Sequence, residues 1–355
     1  MIGIITPGNI KYTPYVENYI NIFKKSSEPY KVMSWDKKDI CEEGIDLRFR
    51  FPTEDSDRKR MLLGYIRFIK ECKQFIKINN IDKLIIMTAA PAFFLGYRFL
   101  SKYRNKFILD IRDDSPFIRR FPNQFKRLCS LATNVVVSSN EFSPWTGRDT
   151  ILCHNMNLEQ LKLHMNDSID DNVNEPIRIV FAGMMNEANC NIDVLTRIGN
   201  DQRFSLVYIG GENFEKKRIK EFVETEGLKN VSFEGTYDKK DIISIYREKA
   251  DIINIFREQS VVNRNALPNK LYEAVLSGKP IAVYEHNVAI ASYAQKYSLG
   301  FIIPESSKVM INDYLYQQMH NFDHRKYVTG RKAFLVEVEN DMKQFTDVLE
   351  AFCNK

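Results

Sequence analysis

The sequence has no cysteines paired for a metal or for a disulfide framework. Its six cysteines (Cys41, Cys72, Cys129, Cys153, Cys190 and Cys353) are scattered over 355 residues, with no C-x-x-C and no histidine at metal spacing. This excludes a small disulfide-built fold, leaves little room for a structural zinc, and fits free thiols in a reducing compartment. Long apolar runs are also missing. Those around Leu84–Met87 and Val135–Val137 are strand-sized, far short of the roughly 20 residues that span a bilayer. The opening MIGIIT lacks a basic segment, an apolar core and a small-residue cleavage site, so a strand is expected there and not a secretory leader. Together these absences point to a cytoplasmic protein. No repeat of solenoid length is present. No G-x-G-x-x-G follows the first strand of either half, which disfavours a dehydrogenase, and no recognised nucleic-acid motif appears.

What is present is an ordinary globular composition on a long chain. Hydrophobic residues make up 44% and charged residues 27%, and 355 residues is about twice a usual domain, so two domains are expected. The net charge of +5 is unevenly spread. Residues 1–155 hold 26 of the 51 Lys/Arg and 17 of the 46 Asp/Glu, a net +9 against −4 for the remainder. Arg58, Lys59, Arg60, Arg67, Lys70, Lys73 and Lys77 line one helical segment, whose apolar positions are Leu62, Leu63, Ile66, Ile69, Phe75 and Ile76. Arg119, Arg120, Lys126 and Arg127 form a second cluster, interleaved with Phe117, Phe121 and Phe125. Such a half is either a solvated basic face or a surface for an anionic partner, such as lipid or a phosphate-bearing substrate.

Strand and helix signals alternate along both halves. In the first, strands are expected at Ile2–Thr6, Lys31–Ser34, Lys83–Met87, Phe107–Ile111, Val135–Ser138 and Thr150–Cys153. Helices are expected at Tyr15–Lys25, Arg58–Asn79, Ala92–Tyr103 and Phe121–Ala132. The polar stretch NDSIDDNVNEP, 166–176, reads as a linker between domains 1–165 and 177–336. Alternation restarts at Ile177–Ala182 and continues to Phe301–Ile303, and a last helix is expected within 337–355. Three strands of the second half run into glycine, at Gly183, Gly210-Gly211 and Gly235. This suits a parallel sheet whose carboxyl-end loops approach a ligand closely. The fold class is α/β, with two doubly wound, Rossmann-like parallel-sheet domains facing a cleft.

Residues 265–280, NALPNKLYEAVLSGKP, carry the most chemistry. Pro268 stiffens the chain before a helix, and Asn269 reads as its N-cap. The amides of Lys270, Leu271 and Tyr272 would then point out of a helix end that attracts anions, with the Lys270 charge beside them. Glu273 falls one turn in, where a carboxylate can bind ribose hydroxyls. Gly278-Lys279-Pro280 ends the helix. On these features alone the segment is either a diphosphate and ribose site or a well-capped helix of any α/β protein.

The segment resembles the donor-site motif of glycosyltransferase family 4, especially enzymes of bacterial capsule, O-antigen and exopolysaccharide assembly. FAGMMNEANCNIDVL (Phe181–Leu195), LVYIGGE (Leu206–Glu212) and the stretch Asn230–Phe256 resemble the parts that precede that motif, in order, so the likeness covers residues 177–303. In the first half LDIRDDSP (Leu109–Pro116) is similar to a D-x-R-D-x-x-P segment of such enzymes. The resemblance implies the GT-B fold of two Rossmann-like domains and retaining transfer of a sugar from a nucleotide-sugar to a glycan or polyprenyl-diphosphate-linked acceptor. It implies the inner face of the membrane as the place of action. The last helix would pack back on the first domain.

The donor side would comprise Gly183, Met184, Gly210, Gly211, Gly235, Tyr237, Arg257, Arg264, Asn265, Pro268, Asn269, Lys270, Leu271 and Glu273. The acceptor side would comprise Gly8, Asn9, Arg112 and Asp113. Asp113, Lys270 and Glu273 are the catalytic candidates, although Asp113 also reads as a loop carboxylate paired with Arg112. No cofactor and no metal are expected, since helix amides and Lys270 can meet the leaving charge. Arg112 beside Asp113-Asp114 argues against a metal there.

Two departures stand out. Asn265 occupies a position where many members carry glutamate, and an amide cannot carry charge. The loop after Gly183 lacks the usual Arg and Lys and contains Glu187. Two other classes therefore stay open: a UDP-sugar epimerase on the same fold, and a catalytically degenerate partner subunit.

Overall fold

A computed structural model describes residues 1–13, 15–53, 57–169, 174–304 and 310–354. It divides into two compact units, Met1–Leu158 with Val338–Lys355, and Glu159–Glu337. Of the stretch expected as a linker, residues 170–173 lie outside the described residues.

The first unit holds seven strands: β1 (Ile2–Thr6), β2 (Tyr30–Asp36), β3 (Leu47–Arg50), β4 (Lys83–Met87), β5 (Phe107–Ile111), β6 (Asn134–Val137) and β7 (Ile151–Leu152). They pair in parallel in the order β3-β2-β1-β4-β5-β6-β7. The second unit repeats the pattern with β8 (Ile177–Ala182), β9 (Phe204–Ile209), β10 (Val231–Glu234), β11 (Ile252–Asn254), β12 (Ile281–Tyr284) and β13 (Gly300–Ile303). Their order is β10-β9-β8-β11-β12-β13, again all parallel. In both sheets the order reverses beside the first strand, between β1 and β4 and between β8 and β11. That reversal opens a crevice at the carboxyl ends of those strands, where doubly wound folds bind ligands.

The strands read as apolar runs because helices cover both faces of a parallel sheet. All five residues of β1 are buried. On one face, Ile5, Met33, Trp35, Ile86 and Leu109 pack with Phe68, Cys72 and Phe75 of helix Arg58–Ile78. That helix lies close on the sheet at Gly64, where a Cβ would stand 2.3 Å from the Trp35 ring. Of its expected apolar positions, Ile69, Phe75 and Ile76 are buried, but Leu62, Leu63 and Ile66 are exposed. All six cysteines are free thiols. Among the described residues, no helix is long and apolar enough to cross a membrane.

Several elements differ from expectation. The continuous helix expected over Ala92–Tyr103 is instead Ala89–Leu95, Tyr97–Leu100 and a 3-10 turn, interrupted at Gly96, whose φ of +79° breaks the helix. The helix expected at Phe121–Ala132 is shorter, Pro122–Cys129, and a second short helix that was not expected, Pro116–Arg120, precedes it. Each starts at a proline, which fits the first helical turn but not the interior. Strand β3 escapes the sequence patterns because it is a short edge strand of half-buried and exposed residues. The last helix runs over His324–Cys353, much longer than expected. Within the first unit its later part is tied by Tyr19 edge-on to Phe345 at 4.9 Å and by His154 Nε2 at 3.0 Å from Asp341 Oδ2. Lys83 Nζ also donates to the carbonyls of Phe352 at 3.0 Å and Cys353 at 2.6 Å, a cation on a helix carboxyl end.

Candidate functional site

The second unit assembles the candidate residues at the reversal between β8 and β11. The register pairs Ala182 with Ile209, so β8 and β9 end level and release Gly183 and Gly210 side by side. Gly183 has φ +133°, a conformation for which only glycine is unstrained. Gly210 is demanded by proximity, because a Cβ on it would stand 2.1 Å from the Gly183 carbonyl oxygen. Gly210→Ala is therefore expected to lower stability by about 1–3 kcal/mol. Gly235→Ala, where an added Cβ meets nothing within 4 Å, should leave the thermal midpoint nearly unchanged. Equal midpoints for the two variants would refute this packing.

The helix Asn269–Ser277 points its amino end at this loop pair. Its N-cap is Pro268, with φ −73° and ψ 156° and no side-chain capping bond, and Asn269 is the first helical residue. This corrects the expectation that Asn269 caps the helix. It also shifts the donor set by one residue. The Leu271 amide donates to the Pro268 carbonyl at 3.1 Å, leaving Asn269 and Lys270 with first-turn N–H groups for which helix geometry supplies no acceptor. At the other end Gly278 is left-handed (φ 75°, ψ 24°). The Lys279 amide reaches back to the Ala274 carbonyl at 3.1 Å, which fixes the helix stop.

Lys270 is the centre of the cluster. Its Nζ lies 4.1 Å from the centroid of the Phe181 ring and 3.1 Å from where a Gly183 Cβ would be. Any residue but glycine at 183 would crowd the ammonium. Burial holds the Lys270 pKa below the ordinary lysine value, opposed by Glu273 and reinforced by Arg257. Glu273, one turn along, is pushed the other way: burial raises its carboxyl pKa, while Lys270 and Lys239 pull it down. Burial, and to a lesser extent the Glu273 charge, raise the phenol pKa of Tyr237. The Tyr246 hydroxyl, also raised by burial and by Glu273, donates to the Ala182 carbonyl at 3.4 Å.

Arg257 also enters this field, but its guanidinium is engaged. It pairs with Glu187 at 3.0 Å. The same carboxylate accepts the Glu258 amide at 2.6 Å and the Asn263 side-chain amide at 3.2 Å. Glu187 thus joins the loop after β8 to the loop after β11, and the carboxylate that looked adverse to a diphosphate has its charge matched within the protein. His286 Nε2 lies 2.7 Å from the Arg257 carbonyl and steadies the same turn. Lys216, buried, donates to the carbonyls of Gly210 at 2.7 Å and Glu234 at 2.8 Å and holds two of the glycine loops. Sequence reasoning missed the roles of Lys216, Asn263 and His286, because each acts on a partner distant in sequence or on a backbone carbonyl, neither of which leaves a local pattern.

The remaining donor-side candidates are spread more widely. Gly211 would bring a Cβ within 3.3 Å of Thr236 Cγ2. Met184 and Arg264 are exposed, and Asn265 is half-buried at the end of the short helix Val261–Asn265.

In the first unit, Gly8 has nothing within 4 Å of an added Cβ. Asn9 is buried and committed: its amide donates to Asp36 at 2.8 Å and Glu42 at 3.1 Å, and its oxygen accepts the Lys37 amide at 3.1 Å. Arg112 is also buried, 2.5 Å from Asp110 Oδ2, 2.6 Å from the Cys153 carbonyl and 4.0 Å from the Tyr15 ring centroid. Arg112 is thus ion-paired with Asp110, two residues before it. Asp113 is exposed just past β5, and Asp114 pairs with Arg119.

No family model matches the chain, and no curated protein sequence does. Solved structures do resemble it over its whole length. HepE from Anabaena in complex with UDP-glucose aligns with 99% of this chain and 100% of its own at 14% identity and a TM-score of 0.65. The UDP-GlcNAc 2-epimerase of Neisseria meningitidis bound to UDP-GlcNAc aligns with 99% and 100% at 12% identity and 0.64. The α,α-trehalose 6-phosphate synthase of Burkholderia multivorans aligns with 99% and 96% at 9% identity and 0.64. The two parallel sheets of like strand order and these full-length likenesses give the chain the GT-B fold, two Rossmann-like α/β domains in tandem.

Proposed function

We propose that the protein is a glycosyltransferase that takes a sugar from a nucleotide-sugar and passes it, with retention, to a lipid-linked glycan in surface-polysaccharide synthesis. The observation that carries this reading is the meeting of Lys270, the open amides of Asn269 and Lys270, and the Gly183–Gly210 loop pair at the β8/β11 reversal. A diphosphate needs such a combination of fixed dipoles, a cation and close backbone approach. Glu273 stands one turn along the helix, where the ribose of the nucleoside would lie. In this proposal the leaving charge is met by Lys270 and the helix amides rather than by a metal ion. The exposed Asp113 is the group that receives the acceptor. UDP is the favoured nucleotide, since HepE and the epimerase of like fold are complexed with UDP-glucose and UDP-GlcNAc.

A thermal-shift series with UDP-, GDP-, ADP- and dTDP-sugars tests the donor. Saturation at a hundred times the dissociation constant adds about 2.7 kcal/mol of stability, which moves the midpoint by several degrees. A flat response to all four would end the reading. The likeness to the epimerase favours a second reading, in which the same cleft acts on a UDP-sugar without an acceptor. Product analysis separates the two, because an epimerase converts the UDP-sugar when it is supplied alone.

A further inference from the structure

The loops that follow β8 and β11 meet at the β8/β11 reversal, and one carboxylate makes the contact between them. Glu187 Oε1 accepts from Arg257 Nη2 at 3.0 Å, from Arg257 Nε at 3.2 Å and from Asn263 Nδ2 at 3.2 Å. Its Oε2 accepts from the Glu258 amide at 2.6 Å. A guanidinium, a side-chain amide and a backbone amide turned on one anionic group form a donor set that also suits a phosphate. Here an internal carboxylate fills it.

The donor set has its own supports. The Arg257 carbonyl is held by His286 Nε2 at 2.7 Å. Asn263 donates its backbone amide to Ser260 Oγ at 3.1 Å, and its side chain also donates to the Glu258 carbonyl at 2.9 Å. Nor does the Glu187 side chain serve its own helix. It stands just before helix Ala188–Ile198 and makes no capping bond there, and the Ala188 amide donates instead to Glu215 at 3.2 Å. If the Glu187 carboxylate left the cluster, both loops would keep these other ties. The ion pair is also open to exchange. The Arg257 and Glu187 side chains are 29% and 21% exposed, and a pair that water reaches contributes little.

Charge supplies the reason for an exchange. Each phosphate of a nucleotide-sugar carries a negative charge, and more develops as the nucleoside diphosphate departs. Lys270 matches only part of it. Arg257 and Glu187 lie close enough to Lys270 to act on its ammonium with opposite sign, so all three groups share one field.

We propose that Glu187 is a built-in competitor for the donor's diphosphate. It occupies the anion site of Arg257, Glu258 and Asn263 while the donor is absent, and the diphosphate displaces it and takes Arg257 as a second cation beside Lys270. The inference rests on the donor-site reading above and deepens it, because it names an internal anion that sets donor affinity.

Calorimetric titration of the full chain with UDP tests it, with Glu187→Gln as the main variant. Glutamine keeps an acceptor for Arg257 without the charge, so the melting midpoint should stay close to that of wild type. UDP should bind Glu187→Gln roughly tenfold more tightly than the unaltered chain, the scale of one charged contact. In Glu187→Gln/Arg257→Gln that gain should vanish. A crystal structure of the unaltered chain with UDP should show the Arg257 guanidinium on a phosphate oxygen and the Glu187 carboxylate parted from it. The proposal fails if Glu187→Gln binds UDP no more tightly than wild type, or if the gain survives the loss of Arg257. It also fails if the Glu187–Arg257 pair stays closed in the UDP complex. Binding of UDP by neither the wild type nor Glu187→Gln would remove the donor site itself, and this proposal with it.

Discussion

Lys270→Ala is expected to weaken the binding of UDP and UDP-sugars by on the order of tenfold to a hundredfold. That range is what a hydrogen bond between charged partners contributes. Calorimetric titration with UDP measures it. Stability should not fall with it. The folded state holds the Lys270 pKa below the ordinary lysine value of 10.5 through burial, so the unfolded chain binds this proton more tightly. In the window between the lowered and the ordinary value, stability therefore rises with pH, and the half-buried ammonium is a burden that alanine removes. A bound diphosphate reverses the sign of the local field and raises the Lys270 pKa. Above its lowered value, UDP binding must then take up a proton, and affinity must decline as pH rises. In Lys270→Ala that decline disappears. Glu273 follows the opposite course. Its raised pKa means the folded state binds the proton more tightly, so its contribution is present at acid pH and lost as pH rises through the raised value. Removing Lys270 takes away the charge that lowers it and extends that window upward. A UDP affinity that is unchanged in Lys270→Ala would remove the helix end as the diphosphate site.

Asp110→Asn should destabilise the first unit by about 3–5 kcal/mol, because it strands a buried cation. The Asp110 and Arg112 side chains are 0% and 1% exposed, with Oδ2 and a guanidinium nitrogen 2.5 Å apart. The Tyr19 hydroxyl donates to the same carboxylate oxygen at 2.7 Å. Asparagine keeps an acceptor but loses the charge that balances Arg112. For a unit of this size the midpoint should fall by roughly ten degrees. Asp110→Leu combined with Arg112→Met should recover much of the loss, as replacement of both partners of a buried pair generally does. Recovery should be incomplete, because Arg112 also serves the Cys153 carbonyl at 2.6 Å and Asn155 Oδ1 at 3.2 Å. A single-variant loss below about 1 kcal/mol would show that water reaches the pair. The pair also shows why Arg112 is not offered to a substrate from the first unit, even though it sits at a strand end: its charge is spent on holding the ends of β5 and β7 together.

Where the sequence was informative, the signal was local. Strand Ile177–Ala182 is visible as an apolar run bounded by glycine, and helix Asn269–Ser277 as a periodic segment bounded by Pro268 and Gly278, because each pattern is complete within about ten residues. The alternation of such segments was enough to give α/β units and a parallel sheet in each half. The glycines at 183 and 210 were legible as loop residues, but the 2.1 Å approach that makes Gly210 irreplaceable depends on the register of two strands. The strand orders, and with them the reversals that place a site, come from pairing between distant segments and leave no trace in either segment alone.

Charge shows the same division. The sequence determined that the first half is basic and that Lys270 opens a helix. Only tertiary structure decided which charges are spent. Glu187 and Arg257, seventy residues apart, neutralise each other, and Arg60 and Arg67, though exposed, lie against the Phe51 ring. It also decided that Leu62, Leu63 and Ile66, apolar and periodic like any core stripe, lie on the wrong side of their helix for the core. Helical periodicity says which residues share a face, but what that face meets is set by the rest of the chain.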